Sequence, residues 1–317
     1  MPVLEDIQAK QNELIRKITA ASMLVANVGA ALPTTLTTGG IRAVQTIAIT
    51  GTPTGGTFTL TFSGQTTLPI AFNATAATVQ AALVALSNIE PGDVVCTGGP
   101  LPGTAVVVTF GGQFSTPATM TATGTFTGGT TPTITVTATT PGTAIDLNPL
   151  PTGYVDIGYV TKDDGYSFGN EWEMSEITSH GVSDPTRRDI MSTTTTVAVT
   201  AQETKRVVQE MFHAVDLSGV VPAASGEIAF NKPLAPTTRY YRVFFLGRDG
   251  IGDGAIYMGM VYPRAMVSET GEQTGSDESE FGYPLTLTAT PDSTVGYSAR
   301  FLFGGPGWRS LLTKMGW

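Results

Sequence analysis

The sequence predicts a mainly β protein: a β-sandwich or barrel with one packed α-helix, plus an inserted small α+β domain of ββαββ type. Three observations lead to this prediction. Glycine (37 residues) and proline (20 residues) are frequent, which indicates many turns. Short runs alternate threonine with apolar residues, as in strands that have one buried face. The density of charge changes abruptly along the chain, which indicates either that one domain is inserted into another or that a domain boundary lies at each end of the middle zone.

Charge and threonine content divide the chain into three zones. Residues 1–42 have a net charge of +1 and are predicted to form an N-terminal helix or arm and the first part of the main domain. Residues 43–143 contain Glu90 and Asp93 but no lysine or arginine, and 28 of these 101 residues are threonine. Residues 144–317 have a net charge of -8 and are predicted to form the main domain. The middle zone is therefore predicted to be an inserted domain that faces the exterior.

The first zone predicts a helix over residues 3–20, because its apolar residues are spaced for one helical face. Two interpretations of this helix are open: it covers the core of its own domain, or it docks as an arm on a neighbouring subunit. The candidates for a subunit contact are Leu4, Ile7, Leu14 and Ile18.

The threonine-rich zone predicts strands on both sides of one helix. The helix is expected over 75–86, with Asn73 or Thr75 as its N-cap. The predicted strands are 57–62, 69–72, 94–96, 106–110 and two runs within 115–138.

The third zone predicts one helix among many strands. The helix is expected at about 202–215, behind a capping box formed by Thr200 and Glu203. One helix against this many strands is typical of a sandwich or barrel. The predicted strands are 154–160, 168–178, 193–200, 239–246, 255–262, 267–272, 283–289 and 297–303.

The sequence contains little that could carry out catalysis. It has two histidines, His180 and His213, and one cysteine, Cys96, which are too few for a usual zinc site. The glycine-rich stretch 247–254 lacks the spacing and the closing glutamate of a calcium loop. No nucleophile or nucleotide motif stands in its proper context. We therefore expect no enzyme activity, no cofactor and no metal site.

Two features bear on the location of the protein. The N-terminal residues are charged and lack the apolar core of a signal peptide. The apolar stretch 18–32 is too short to span a bilayer. We therefore expect no membrane insertion, and assembly in a cytoplasm.

Carboxylates without neighbouring bases are a further feature of the third zone. They are densest over 269–280. Glu171 and Glu173 alternate with Trp172 and Met174, so a strand would place the acids on one face and the apolar pair on the other. Two interpretations are open, namely a solvated surface and a surface that repels an anion. The candidates for the second are Glu171, Glu173, Glu269, Glu272, Asp277, Glu278 and Glu280.

Several runs of the chain, in this order, resemble the major tail subunits of long-tailed phages of actinobacteria. The resemblance covers about two-thirds of the chain. In such relatives, a run like ALPTTLT leads almost directly into one like TAIDLNPLPTGYVDIG, so residues 43–143 interrupt the pattern. This zone is similar to threonine-rich modules inserted in phage virion proteins. The runs are MLVANVGAALPT, YVDIGYVTKDDGYSFGNEWEMSEITSHGVSDPTRRDI, TTTVAVTAQETKRVVQEMF, TRYYRVFFLGRDG, GYPLTLTATPD and FLFGGPGW.

The resemblance implies a structural role in the tail of a siphovirus virion. Subunits would form hexameric rings that stack into a tube, and genomic DNA would pass through without specific binding. The further partners it implies are the tape-measure protein and the tail terminator and tip proteins, and assembly would take place in the host cytoplasm. An acidic bore fits this role, because carboxylates repel the phosphates of DNA.

Two alternatives compete with the tail tube. One is a capsid decoration or adhesin protein with a glycan-binding β-module, although residues 43–143 contain no tryptophan or tyrosine for stacking on a sugar. The other is a cell-wall hydrolase, which would need a catalytic constellation that the sequence does not offer.

Overall fold

The computed structural model describes residues 14–235, 237–277 and 280–317. Strands account for 42% and helices for 9% of the structure, so the prediction of a mainly β fold is confirmed. The strands are β1 (Ala20–Asn27), β2 (Thr37–Gly39), β3 (Val44–Thr50), β4 (Gly55–Phe62), β5 (Gln65–Thr66), β6 (Ile70–Ala71), β7 (Val94–Gly98), β8 (Val106–Phe110), β9 (Thr121–Thr127), β10 (Thr133–Thr140), β11 (Ile145–Leu147), β12 (Val155–Asp156), β13 (Tyr166–Ile177), β14 (Arg187–Ala201), β15 (Tyr241–Asp249), β16 (Ile256–Thr270), β17 (Tyr283–Ala289) and β18 (Arg300–Gly304). The helices are α1 (Ala76–Val84), α2 (Arg206–His213) and α3 (Pro306–Leu311).

Eight strands form one large antiparallel sheet, called here the main sheet. Its order is β12-β1-β15-β16-β17-β14-β13, and β18 also pairs with β16. The long strand β16 belongs to both halves, because its first part pairs with β15 and β18 and its last part pairs with β17. The two halves pack on each other, as the rings of Phe168 on β13 and Phe245 on β15 lie 4.8 Å apart between centroids. The sheet therefore folds over its own core, like a sandwich.

Helix α2 closes one side of this core through Val208 and Met211, both buried. It is shorter than predicted, and the predicted capping box is wrong. Thr200 lies in β14, and the N-cap residue Lys205 makes no side-chain cap. The Glu203 carboxylate instead accepts a hydrogen bond from the Tyr159 backbone N–H (2.8 Å) and pairs with Lys205 (3.0 Å). The N–H of Tyr159, 44 residues away, therefore binds the Glu203 carboxylate that the capping box assigned to the start of the helix.

The N-terminal helix predicted over 3–20 is wrong where the structure describes it. Residues 15–18 have no regular structure, and β1 begins at Ala20. Pairing of β1 with β15 satisfies the backbone and buries Met23 and Val25, which outweighs a weak local helical preference. The rest of the predicted helix, including Leu4 and Ile7, lies outside the described residues.

Residues 43–143, called here the Thr-rich segment, contain two small sheets and α1. One sheet has the order β10-β3-β8-β7, and in the other β4 pairs with β5, β6 and β9. The buried residues of this segment form one cluster, which draws only on residues from Ala43 to Val136. The clusters under the main sheet contain none of these residues. Two separate cores therefore exist in one chain.

Helix α1 of the Thr-rich segment begins at a side-chain cap. Thr75 is the N-cap, as predicted, and its hydroxyl accepts from the Thr78 N–H (3.2 Å).

Strand β3 was not predicted, because Gln45 interrupts the apolar alternation. The buried Gln45 amide donates to the Ala118 carbonyl (2.9 Å) and accepts from the Met120 N–H (2.9 Å). It holds the chain that leads into β9 against the core.

The Thr-rich segment meets the rest of the chain at a ribbon and at the C-terminal helix. The ribbon consists of β2 and β11. The Arg309 guanidinium on α3 donates to the carbonyls of Gly40 (3.4 Å) and Phe114 (3.5 Å), and Lys314 pairs with Glu90 (3.5 Å). Helix α3 was not predicted. Among the described residues, no helix has the length and hydropathy needed to cross a membrane.

Candidate functional site

The groups that most often carry chemistry are occupied by packing. Burial raises the pKa of the Cys96 thiol to about 12, so the thiol is protonated and unreactive at neutral pH. The His213 ring packs against Phe212 and Phe230, and burial, with a smaller contribution from Lys232, lowers its pKa. Within the described residues, no group of three or more His, Cys, Asp or Glu side chains could hold a metal ion.

The strands β13, β14, β17 and the end of β16 have one face over the core and one face free, called here the open face. Phe168, Val197 and Leu287 face the core. Their neighbours in the alternation form cross-strand rows on the other side, for example Ser167, Ala198, Thr286 and Glu269. The open face comprises Ser167, Gly169, Glu171 and Glu173 on β13, Thr194, Thr196, Ala198 and Thr200 on β14, Pro284, Thr286 and Thr288 on β17, and Met266 and Glu269 on β16.

The open face is polar, and over the residues given above its charged side chains are acids. They are Glu171, Glu173 and Glu269, three of the seven predicted bore residues. Ser192 donates to the Glu173 carboxylate (2.9 Å), which keeps that side chain on this face. At the tip of the hairpin the face continues to Arg187, which is neutralised by a bidentate pair with Asp189. The alternation in the sequence thus placed Glu171 and Glu173 on one face, opposite to Trp172 and Met174.

Other predicted bore residues lie beyond the end of β16, where they surround an acidic cavity of about 580 Å³. Glu272 and Glu280 line it together with Asp163 and Asp164. Gln202 donates to Glu280 (2.7 Å), and this hydrogen bond lowers the pKa of the Glu280 carboxyl. Asp277 is exposed nearby in sequence, and Glu278 lies outside the described residues.

Asp163 and Asp164 were not among the predicted site residues, because the run 162–165 reads as a turn. It is a turn, closed by a hydrogen bond from the Gly165 N–H to the Thr161 carbonyl (2.9 Å). Its position beside β17 brings the two aspartates to the acidic cavity, and no local pattern indicates this position.

A second cavity, of about 490 Å³, lies at the other end of β17 and is called here the arginine cavity. Tyr240, Arg242 and Arg264 line it, with Asp292. The Arg264 guanidinium carbon lies 3.8 Å from the centre of the Tyr240 ring. The Asp292 carboxylate accepts from the Thr294 hydroxyl (2.6 Å) and N–H (2.8 Å), and these bonds, with smaller contributions from the charges of Arg242 and Arg264, lower its pKa. Among the described residues, the buried Nε of Arg242 has no hydrogen-bond partner.

The β13–β14 hairpin projects past the end of β17, and residues 170–194 are called here the arm. Within the main sheet, β17 pairs with β14 only from Thr195 onward. The core-side face of the arm carries Trp172, Met174 and Ile190, which are 58%, 50% and 55% exposed. These residues continue the sheet face that covers the core in the body of the protein, but among the described residues no side chain buries them.

Two of the four predicted N-terminal contact residues lie within the described residues. Ile18 lies over Gly247 of β15 and is 43% exposed. Leu14 is half-buried, and Leu4 and Ile7 lie outside the described residues.

A large antiparallel sheet with a polar face, and with apolar residues left uncovered, is typical of a structural protein that assembles with other copies. The model of the family described as phage tail tube protein matches residues 119–302, which is more than half of the chain. The chain therefore belongs to the phage tail tube protein family, and the resemblance noted in the sequence is confirmed. Members of this family are structural proteins of the virion tail that assemble into a tube.

One relative shares a shorter stretch. Over 63 residues, or 20% of this chain, the sequence is 44% identical to a tail sheath protein of Mycobacterium phage Bxz1. The matched stretch is 11% of that protein, so the chain corresponds to about a tenth of the length of this relative. The similarity is therefore to one part of a different tail component.

Proposed function

We propose that copies of this chain close into hexameric rings, and that the rings stack into the tail tube of a long-tailed phage. The observation that carries this proposal is the open face: four adjacent strands with one side over the core and the other side polar, on which Glu171, Glu173 and Glu269 are the charged residues between the arginine cavity and the Arg187–Asp189 pair at the hairpin tip. Such a face suits the inner wall of a tube that conducts DNA. The chain would have no enzymatic activity.

The chemistry of the open face explains passage without binding. DNA carries a negative charge about every 1.7 Å of its axis, and proteins grip it with lysine and arginine. Glu171, Glu173 and Glu269 repel phosphates, while the threonine hydroxyls keep the wall hydrated. In this arrangement Glu272, Asp277, Glu278 and Glu280 belong to the rim of the bore.

The arm offers a contact that closes the ring. Trp172, Met174 and Ile190 are uncovered on the side where the body of the protein has its core. Complete burial of such side chains stabilises a contact by about 1.5–3 kcal/mol each. A neighbouring subunit in the same ring would cover them, and the N-terminal residues Leu4, Ile7, Leu14 and Ile18 would add a second contact.

The Thr-rich segment would be an inserted domain on the exterior of the tube. It has its own core, and its connections to the main sheet are the β2–β11 ribbon and α3. The tape-measure protein inside the tube, and the terminator and tip proteins at its ends, would be further partners. Assembly would take place in the host cytoplasm.

Electron microscopy of the purified chain in negative stain tests the proposal. We expect rings or tubes with a central hole and with outward knobs. A monodisperse monomer at high concentration, with no rings or tubes under any condition, would exclude the tail-tube function. Decoration of empty capsids instead of tube formation would favour the capsid alternative.

A further inference from the structure

We propose that copies of this chain join head to tail through a charged contact, in which the acidic cavity of one copy meets the arginine cavity of the next. This inference rests on the proposed self-assembly into a tube and assigns it an axial contact. The occupant of the arginine cavity is a second copy of this chain, and the groups that enter it are carboxylates.

The two cavities lie at opposite ends of the same strand. Pro284, near the start of β17, lines the acidic cavity, and Asp292, just after its end, lines the arginine cavity. Between Pro284 and Ala289 the strand spans about 17 Å at about 3.4 Å per residue. Strand β16 repeats this order in reverse, with Arg264 in its middle and Glu272 just past its end. The two cavities therefore lie near opposite ends of these strands.

The arginine cavity lacks a complete set of acceptors. Arg264 is held beside the Tyr240 ring, and the buried Nε of Arg242 donates to no acceptor within the described ranges. The Asp292 carboxylate is engaged by the N–H and hydroxyl of Thr294. An unsatisfied buried donor is costly, and guanidinium groups match carboxylates in geometry and charge. A carboxylate from outside the subunit would pair with the guanidinium groups that line this cavity.

The acidic cavity has an excess of acids in a corresponding way. Among the described residues, its lining holds one base, Lys162, and four acids, Asp163, Asp164, Glu272 and Glu280. Within the part of the chain that the structure describes, none of these four carboxylates forms an ion pair. Their mutual repulsion falls when a neighbouring arginine approaches.

The geometry favours a second copy over a nucleic acid or an unrelated protein. The group that each cavity lacks is present on the other end of the same chain, so every subunit offers both partners. A contact between two different surfaces that does not close on itself repeats without limit. Such a contact builds a stack, whereas the arm would close each ring.

Charge reversal at each end tests the contact. The first variant, Asp163→Lys with Glu272→Lys, makes the acidic cavity basic. The second variant, Arg264→Glu, makes the arginine cavity acidic and leaves the half-buried Arg242 in place. Each variant alone would present like charges across the contact, so the critical concentration for tube formation at low salt should rise at least about tenfold. When rings of each variant are formed separately and then mixed in equal amounts, alternating rings pair opposite charges again, and the mixture should form tubes near the wild-type concentration.

The matched controls reverse exposed charges away from both cavities. Glu227→Lys with Asp253→Lys changes the net charge as the first variant does, and Lys232→Glu does so for the second. Both controls should assemble like the wild type. Thermal melting checks that each variant is folded. The first variant changes only exposed groups. If Arg264→Glu does not fold, the critical concentration of the first variant alone tests the contact.

The outcomes separate this inference from the tail-tube function. If the wild-type chain forms no rings or tubes, the proposed tail-tube function is wrong. A wild type that forms tubes, with a first variant that forms them equally well, would overturn the head-to-tail contact alone. So would a mixture of two folded variants that stays unassembled. Binding of DNA or inorganic phosphate that Arg264→Glu abolishes without affecting tube formation would assign the arginine cavity to a phosphate ligand, and would also overturn the contact.

Discussion

The Thr-rich segment and the main sheet differ in whether their polar and charged groups are bonded within the chain. In the Thr-rich segment, exposed threonine hydroxyls bond to one another across strands, as in Thr46–Thr139 (2.7 Å) and Thr50–Thr133 (2.8 Å). Its buried Asp93 accepts from the Glu90 N–H and from Gln113. The main sheet instead presents a half-exposed apolar arm, one cavity rich in acids, one cavity that holds two arginines, and an open face that carries Glu171, Glu173 and Glu269. The first region is complete in itself, and the second has the surfaces of a part in an assembly.

The largest expected change comes from removing the Thr-rich segment altogether. Deletion of residues 43–143 leaves Ile41 and Arg42 as a two-residue turn between β2 and β11, because Gly40 already bonds to Ala144 (3.1 Å). We expect tubes that are thinner and smooth in negative stain, since the deleted core is separate. Loss of tube formation by a folded deletion variant would show that the segment is part of the tube wall.

The next largest effect should come from the arm. Trp172→Ser with Met174→Ser removes apolar area that only a neighbour could cover, so assembly should weaken by at least about a hundredfold. The melting temperature of the monomer should stay almost unchanged, because both side chains are exposed in it. Sedimentation velocity measures the assembly. Leu234→Ser with Ile251→Ser, which changes apolar residues elsewhere that are even more exposed, should assemble normally. Equal loss in this control would show that the effect is not specific to the arm.

The features that the sequence predicted correctly are those set by interactions between residues that are close in the sequence. Alternation of apolar and polar residues predicts the strands at 106–110 and 283–289. It also predicts that Glu171 and Glu173 lie on the face opposite to Trp172 and Met174. The Thr75 cap follows from a hydrogen bond to a residue three positions away. The capping box at Glu203 was wrong because a distant N–H, that of Tyr159, takes its carboxylate. The arginine cavity had no sequence signal, because the pairing of β15 with β16 alone brings Arg242 and Arg264 together.

A third prediction compares the two cores directly. Phe110 in the Thr-rich segment and Phe245 in the main sheet are both fully buried, each against two aromatic rings. Phe110→Ala and Phe245→Ala should each cost about 3–5 kcal/mol of unfolding free energy. In calorimetry, the first should lower one transition and leave tube formation intact, and the second should lower the other transition and prevent tubes. Equal shifts of a single transition would show that the two cores unfold together.

The smallest expected effect on the protein itself concerns the open face, where charge matters for DNA and not for folding. Glu171→Lys with Glu269→Lys should leave melting and tube formation unchanged, because both side chains lie on the face away from the core. The tubes should now retain double-stranded DNA, with an affinity that falls steeply as salt rises, since each lysine displaces counterions from phosphates. Co-sedimentation of DNA with the tubes measures this. Glu227→Lys with Asp253→Lys adds the same charge outside the open face. If its tubes retain as much DNA, the open face does not line the bore, and the main sheet would then lose the feature that most separates it from the Thr-rich segment.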